Sequence, residues 1–171
     1  MGQKYGYLYR SLSPEYFEPE NTAKMNCNET LFDVITSIEA YDFGGVSSTR
    51  TMNVHSKSVV ERELGLSSSD KTDVPMKSKS CTYSEKSSIQ IPGDSYEVTV
   101  SWEVQTVDSN SYKVLENMKE YPKHLIIRTY SGKGYFIRCE EEGYEFSYQE
   151  KDGVIGCEAT FHNKNGIQRI L

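Results

Sequence analysis

No two cysteines in this chain stand at CxxC spacing, no histidine recurs as HxH or HxxxH, and no GxSxG or HExxH signature occurs. These absences remove the usual sequence marks of a redox dithiol, a zinc site, a serine nucleophile and a metalloprotease. Long apolar runs are missing too, so no window suits a transmembrane helix, which needs about 20 apolar residues. Met1 to Arg10 is polar and tyrosine-rich and lacks the apolar run of a secretory signal. The expectation is a protein made and kept in the cytosol, or assembled there into something larger, with free thiols at Cys27, Cys81, Cys139 and Cys157. Positive charge is in deficit. A net charge of -6 argues against a molecule whose whole surface grips nucleic acid, though not against a local basic patch.

Tyrosine is plentiful. Thirteen copies stand against six Phe and one Trp, and they supplement a lean 36% hydrophobic content with side chains suited to sheets and interfaces. Tyr96, Val98, Val100, Trp102 and Val104 alternate with Glu97, Thr99, Ser101, Glu103 and Gln105. Strict period two predicts a strand with one buried and one wet face, and puts Trp102 in the core. Asp108-Ser109-Asn110-Ser111 then supplies N-cap residues, Val114, Leu115, Met118 and Tyr121 recur at helical spacing, and Pro122 stops the run. A helix over about 108–121 follows. Beyond it come strands over Leu125–Tyr130, Tyr135–Glu140, Tyr144–Gln149 and Val154–His162, joined by tight turns at Ser131–Gly134, Glu141–Gly143 and Lys151–Gly153, with a last edge strand over Ile167–Leu171. Cys139 and Cys157 fall within strand patterns as small apolar packing, whereas His124 and His162 are expected as exposed polar residues.

The first half is less regular. Leu31–Tyr41 leans to a strand, although Leu31, Ile35 and Ile38 also suit a helix, and Thr49–His55 alternates. The fold class is therefore mainly β: an antiparallel β-sandwich or barrel with one flanking helix, a long loop and an extended N-terminal arm. Residues 1–30, with Tyr5, Tyr7, Tyr9, Tyr16 and Phe17, form that arm; 31–171 form a single domain with a flexible insertion at about 65–88. Lys71, Lys77, Lys79 and Lys86 make the insertion basic against an acidic body, which suits either solubility or docking on an acidic face of another subunit. Glu140, Glu141, Glu142, Glu145 and Glu150 form an acidic run without the ligand spacing of a metal loop. Ser131-Gly132-Lys133-Gly134 joins two strands and so is a hairpin turn, not a phosphate loop. No catalytic, cofactor or metal residues are assigned, and the reading is non-enzymatic.

The order of elements from Tyr96 to Leu171 resembles phage tail-tube and related small tail and baseplate proteins, a family that includes the type VI secretion tube. The matching pieces are the Trp102 strand, the Leu115–Met118 helix, the strand pairs through Cys139 and Phe161, the Ser/Lys-rich loop, and the ending Gly156-Cys157-Glu158-Ala159-Thr160-Phe161 with Gly166-Ile167-Gln168. The resemblance implies a structural virion protein assembled in a host bacterial cytoplasm, a tail-tube or tail-ring subunit. Its partners would be itself in rings and stacked rings, other tail proteins, and DNA touched transiently in the lumen, with no membrane insertion. It also implies that Glu140, Glu141, Glu142, Glu145 and Glu150 face the channel. The alternative is a monomeric β-sandwich that binds a ligand such as a carbohydrate, with Tyr and Trp as a stacking platform.

Overall fold

A computed structural model describes residues 33–43, 57–61, 64–90, 93–105 and 108–171. The expected arm over 1–30 and the expected strand over Thr49–His55 lie outside these residues. The chain divides into two units, Met1–Val34 and Ile35–Leu171, and the strands and helix of the described residues belong to the second. Its elements are β1 (Ile35–Asp42), β2 (Ser58–Val59), β3 (Lys71–Asp73), β4 (Thr82–Gln90), β5 (Gly93–Val104), α1 (Ser109–Glu120), β6 (Lys123–Thr129), β7 (Gly134–Ile137), β8 (Tyr144–Lys151), β9 (Val154–Asn163) and β10 (Ile167–Ile170). They form a six-stranded sheet in the order β2-β10-β7-β6-β1-β3 and a four-stranded sheet in the order β4-β5-β9-β8. Among the described residues, only β2 and β10 pair in parallel. Neither sheet closes on itself, so the fold is an open sandwich rather than a barrel.

The alternating residues of β5 explain the layering. Val98, Val100, Trp102 and Val104 point inward with Ile155, Cys157, Ala159 and Phe161 of β9. They meet Ile38 and Ala40 of β1, Leu125 and Ile127 of β6, and Ile137 of β7 from the other sheet. Each such buried side chain contributes about 1.5–3 kcal/mol of apolar transfer free energy. Trp102 stacks on Phe146 at 5.8 Å between ring centroids, and its indole N–H finds no acceptor among the described residues.

Helix α1 starts where the cap residues predict: the Asp108 carboxylate accepts the Ser111 N–H at 2.6 Å. It buries Leu115 and Met118. Three tyrosines tie it to its neighbours and set it antiparallel to β8. Tyr112 donates its hydroxyl to Glu150 at 2.6 Å, Tyr148 donates to Glu116, and Tyr144 donates to the Met118 carbonyl at 2.8 Å.

Two sequence expectations need correction. The stretch 65–88 carries β3 and most of β4, and β4 pairs with β5 from Thr82↔Ser101 to Gln90↔Gly93. It reads as a loop because β4 is an edge strand whose Thr82–Ser87 side chains are all exposed, so no apolar alternation marks it. His124 is buried, not exposed. It lies in β6, a central strand buried on both faces where alternation carries no information. His162 is exposed as expected, and Cys139 and Cys157 are buried.

The chain passes between the sheets four times, and two of these passages are neighbours. From β7 to β8 it turns through Glu141–Gly143, and from β9 to β10 through Lys164–Gly166. The Asn163 side chain binds these passages together. Its amide donates to the Arg138 carbonyl at 2.8 Å, and its oxygen accepts the Asn165 and Gly166 N–H groups at 3.2 and 2.6 Å. A Cβ at Gly143 would collide with the His162 carbonyl oxygen, so the crossings touch at the backbone. Asn163→Ala leaves three buried backbone groups without these partners, and should destabilise the protein by about 2–4 kcal/mol in urea titrations.

His124 accepts the Cys139 N–H at Nδ1 (2.9 Å) and directs Nε2 at the Phe43 carbonyl (3.2 Å). Burial pushes its pKa down to about 4, with the Arg138 charge adding and the Phe43 carbonyl opposing. The unfolded chain therefore takes up this proton near pH 6.5 and the folded one does not. Stability is full above pH 6.5 and falls as pH drops toward 4, by on the order of 3 kcal/mol from this group. A His124→Gln variant should show a shallower loss between pH 6.5 and 4.5 in the same titrations.

Candidate functional site

The four-stranded sheet has one face in the core and the other open. Its register places Glu97, Thr99, Ser101 and Glu103 of β5 beside Gly156, Glu158, Thr160 and His162 of β9. Glu145, Ser147 and Gln149 of β8 continue the rows on one side, and Thr82, Ser84 and Lys86 of β4 on the other. A groove of about 1140 Å³ crosses this face, between the Lys77–Ser80 turn and the β8–β9 hairpin at Lys151–Asp152. The outward positions of β5, β9 and β8 carry hydroxyls, carboxylates, an amide and the His162 imidazole, but no Trp, Tyr or Phe. Trp102, the obvious sugar platform, is 2% exposed in the core.

Both edges of this sheet are long and unpaired among the described residues. β4 offers nine residues and β8 offers eight. Such edges present rows of free N–H and C=O groups, and an isolated protein blunts them with short strands, bulges or proline. β4 has none of these devices and carries only Lys86 as an edge charge beside Glu85.

The acidic residues singled out from sequence do not share one face. Glu145 lies on the open face. Glu150 lies on the helix side, where it accepts the Tyr112 hydroxyl. Glu140 takes the Lys164 N–H at 3.2 Å at the sheet crossing, and Glu141 and Glu142 form the 3₁₀ turn there. The open face instead combines Glu145 with Glu97, Glu103 and Glu158. Strand parity was the signal for this set; proximity in sequence was a poorer one.

The lysines separate too. Lys71 in β3 bridges Glu39 and Asp73 at 3.3 and 3.2 Å. Lys77 pairs with Glu103 at 3.3 Å, and Lys86 with Glu97 at 3.6 Å. Lys79 stands at a turn with φ 62, exposed and without an ion pair among the described residues.

A second cleft, about 480 Å³, opens at the other end of α1. Phe43 and Tyr121 flank it, 44% and 52% exposed. Lys123, buried and paired with Asp42, forms its floor beside Asn117 and Glu141.

Chemistry with thiols or metals finds little support in the described residues. Burial pushes the Cys81, Cys139 and Cys157 thiols up to about 12, leaving negligible thiolate at neutral pH. Among the described residues, no set of three His, Cys, Asp or Glu side chains converges to hold a metal ion. No described helix is long and apolar enough to cross a membrane. Compared with known proteins, the chain matches no family model, no curated sequence and no solved structure.

Proposed function

We propose that this chain is a structural subunit of a phage-type tail, a tube or ring protein that builds a channel by self-association. The observation that carries the reading is the four-stranded sheet. One face is packed, the other is open and polar, and both long edges are free among the described residues. Pairing β4 of one copy with β8 of the next extends the sheet by main-chain hydrogen bonds. Such a contact is heterologous, so a fixed rotation between copies closes a ring. The open face then turns inward as a continuous wall of Ser, Thr and Glu, wet and without apolar patches. Lys86 and Lys77 balance Glu97 and Glu103, and Glu145 and Glu158 leave the face negative, which repels a phosphate backbone and lets DNA pass without adhering.

A carbohydrate-binding module is the weaker reading, since no Trp, Tyr or Phe occupies an outward strand position of the open face and Trp102 is buried in the core.

Negative-stain electron microscopy of the purified full chain, with its mass in solution, tests the proposal. Rings or hollow tubes are expected, and a monomer at every concentration would overturn it. Glu145→Lys with Glu158→Lys should leave rings intact while making tubes retain duplex DNA in a gel-shift assay at about 0.15 M salt, where screening beyond about 8 Å is strong. Unchanged DNA binding by that variant would remove this face from the channel wall.

A further inference from the structure

Helix α1 runs between two features of complementary chemistry. At one end is the turn Lys77–Ser80. The Ser80 hydroxyl donates to the Lys77 carbonyl at 2.6 Å and accepts the Glu103 N–H at 3.1 Å. The Lys77 N–H donates to the Glu103 carbonyl at 2.6 Å. These bonds fix a turn whose apex, Lys79, has a left-handed backbone at φ 62. A lysine is strained there and glycine is not, so the conformation is held against local preference. The ammonium it presents has no partner among the described residues.

At the other end, where α1 stops beside the six-stranded sheet, is the cleft between Phe43 and Tyr121. Asp42 and Glu141 contribute two carboxylates and Lys123 one ammonium, which leaves a net negative charge. Lys123 is already satisfied by Asp42, and Glu141 has no ion pair among the described residues. Tyr121 already holds the Lys123 ammonium over its ring at 5.9 Å and Phe43 stacks on His124 at 5.5 Å, so what draws a further ammonium here is the Glu141 carboxylate, unpaired among the described residues. Asn117 adds an amide oxygen.

The two features cannot meet within one chain. The 12-residue helix α1 starts near the Lys79 end and finishes at Tyr121, so it separates them by about 18 Å. The eight residues of β8 run alongside it for about 26 Å, from the Glu141–Gly143 turn to the hairpin at Lys151–Asp152.

We infer that Lys79 of one copy docks in the Phe43–Tyr121–Glu141 cleft of a second copy, joining opposite ends head to tail. This rests on the self-assembling reading above and adds its axial contact: β4 and β8 pair around a ring, and Lys79 with Glu141 stacks one ring on the next. Turn and cleft lie at the ends of the strands, so the stacking contact leaves the sheet edges free.

The test uses the full-length chain, electron microscopy and sedimentation. Lys79→Glu and Glu141→Lys should each yield single rings, raising the concentration needed for stacking by at least about tenfold, a loss typical of a reversed charge pair. The double variant Lys79→Glu with Glu141→Lys should recover stacks. Lys79→Gly removes the ammonium and the backbone strain together, so it should melt no lower than the parent protein yet also fail to stack. Stacks from both single variants at the parent concentration, or no recovery in the double variant, would overturn the contact and leave the ring reading standing. A parent chain that forms no rings would overturn both.

Discussion

Asn163 is the point on which the two sheets depend. One side chain fixes the exit from β7 through the Arg138 carbonyl and the entry to β10 through two N–H groups. An apolar residue of the same size would leave the corner's backbone groups buried and unpaired. Glu85 adds a second tie across the mouth of the sandwich, accepting the Ile167 N–H at 2.5 Å and the Lys57 ammonium at 2.7 Å. With these two of the four crossings fixed, the inner rows of β5 and β9 are held against those of β1, β6 and β7 in one register. A slip of one residue would put Glu97, Thr99 and Ser101 into the core.

This constraint divides the molecule into regions with distinct roles. The six-stranded sheet is buried on both faces: Ile38, Ala40, Leu125 and Ile127 meet the other sheet, and Tyr41, Ile126 and Phe136 pack with Val59 and Leu64 outside. Beside that outer cluster, Glu39 accepts hydrogen bonds from Tyr41 at 3.0 Å and Arg128 at 3.2 Å. Burial would raise the Glu39 pKa, but those bonds outweigh it and hold the carboxyl below its usual range. The four-stranded sheet is buried on one face only. Among the described residues the four-stranded sheet leaves uncovered its open face and its two edges.

Much of this was legible in the sequence wherever one face was wet and the other dry. Alternation along Tyr96–Val104 gave β5 and buried Trp102, the Asp108 cap and Pro122 bracketed α1 to within a residue or two, and Lys151-Asp152-Gly153 marked its hairpin, with φ 54 at Asp152 and 77 at Gly153. Legibility failed where that contrast vanishes. β4 is polar on both sides because it is an edge, and β6 is buried on both sides because it is central, so His124 gave no sign of its surroundings. The candidate wall was misgrouped for a simpler reason: Glu140, Glu141 and Glu142 are adjacent in sequence, but a sheet sorts its residues by parity. The Phe43–Tyr121 cleft is drawn from four segments far apart in the chain, and nothing local announces it.

The single tryptophan has a consequence of its own. Trp102 lies between the sheets, 2% exposed and stacked on Phe146. Its emission is therefore a private optical channel for the interior. It should shift to the red when the sandwich opens, so one cuvette reports loss of the fold without any added label.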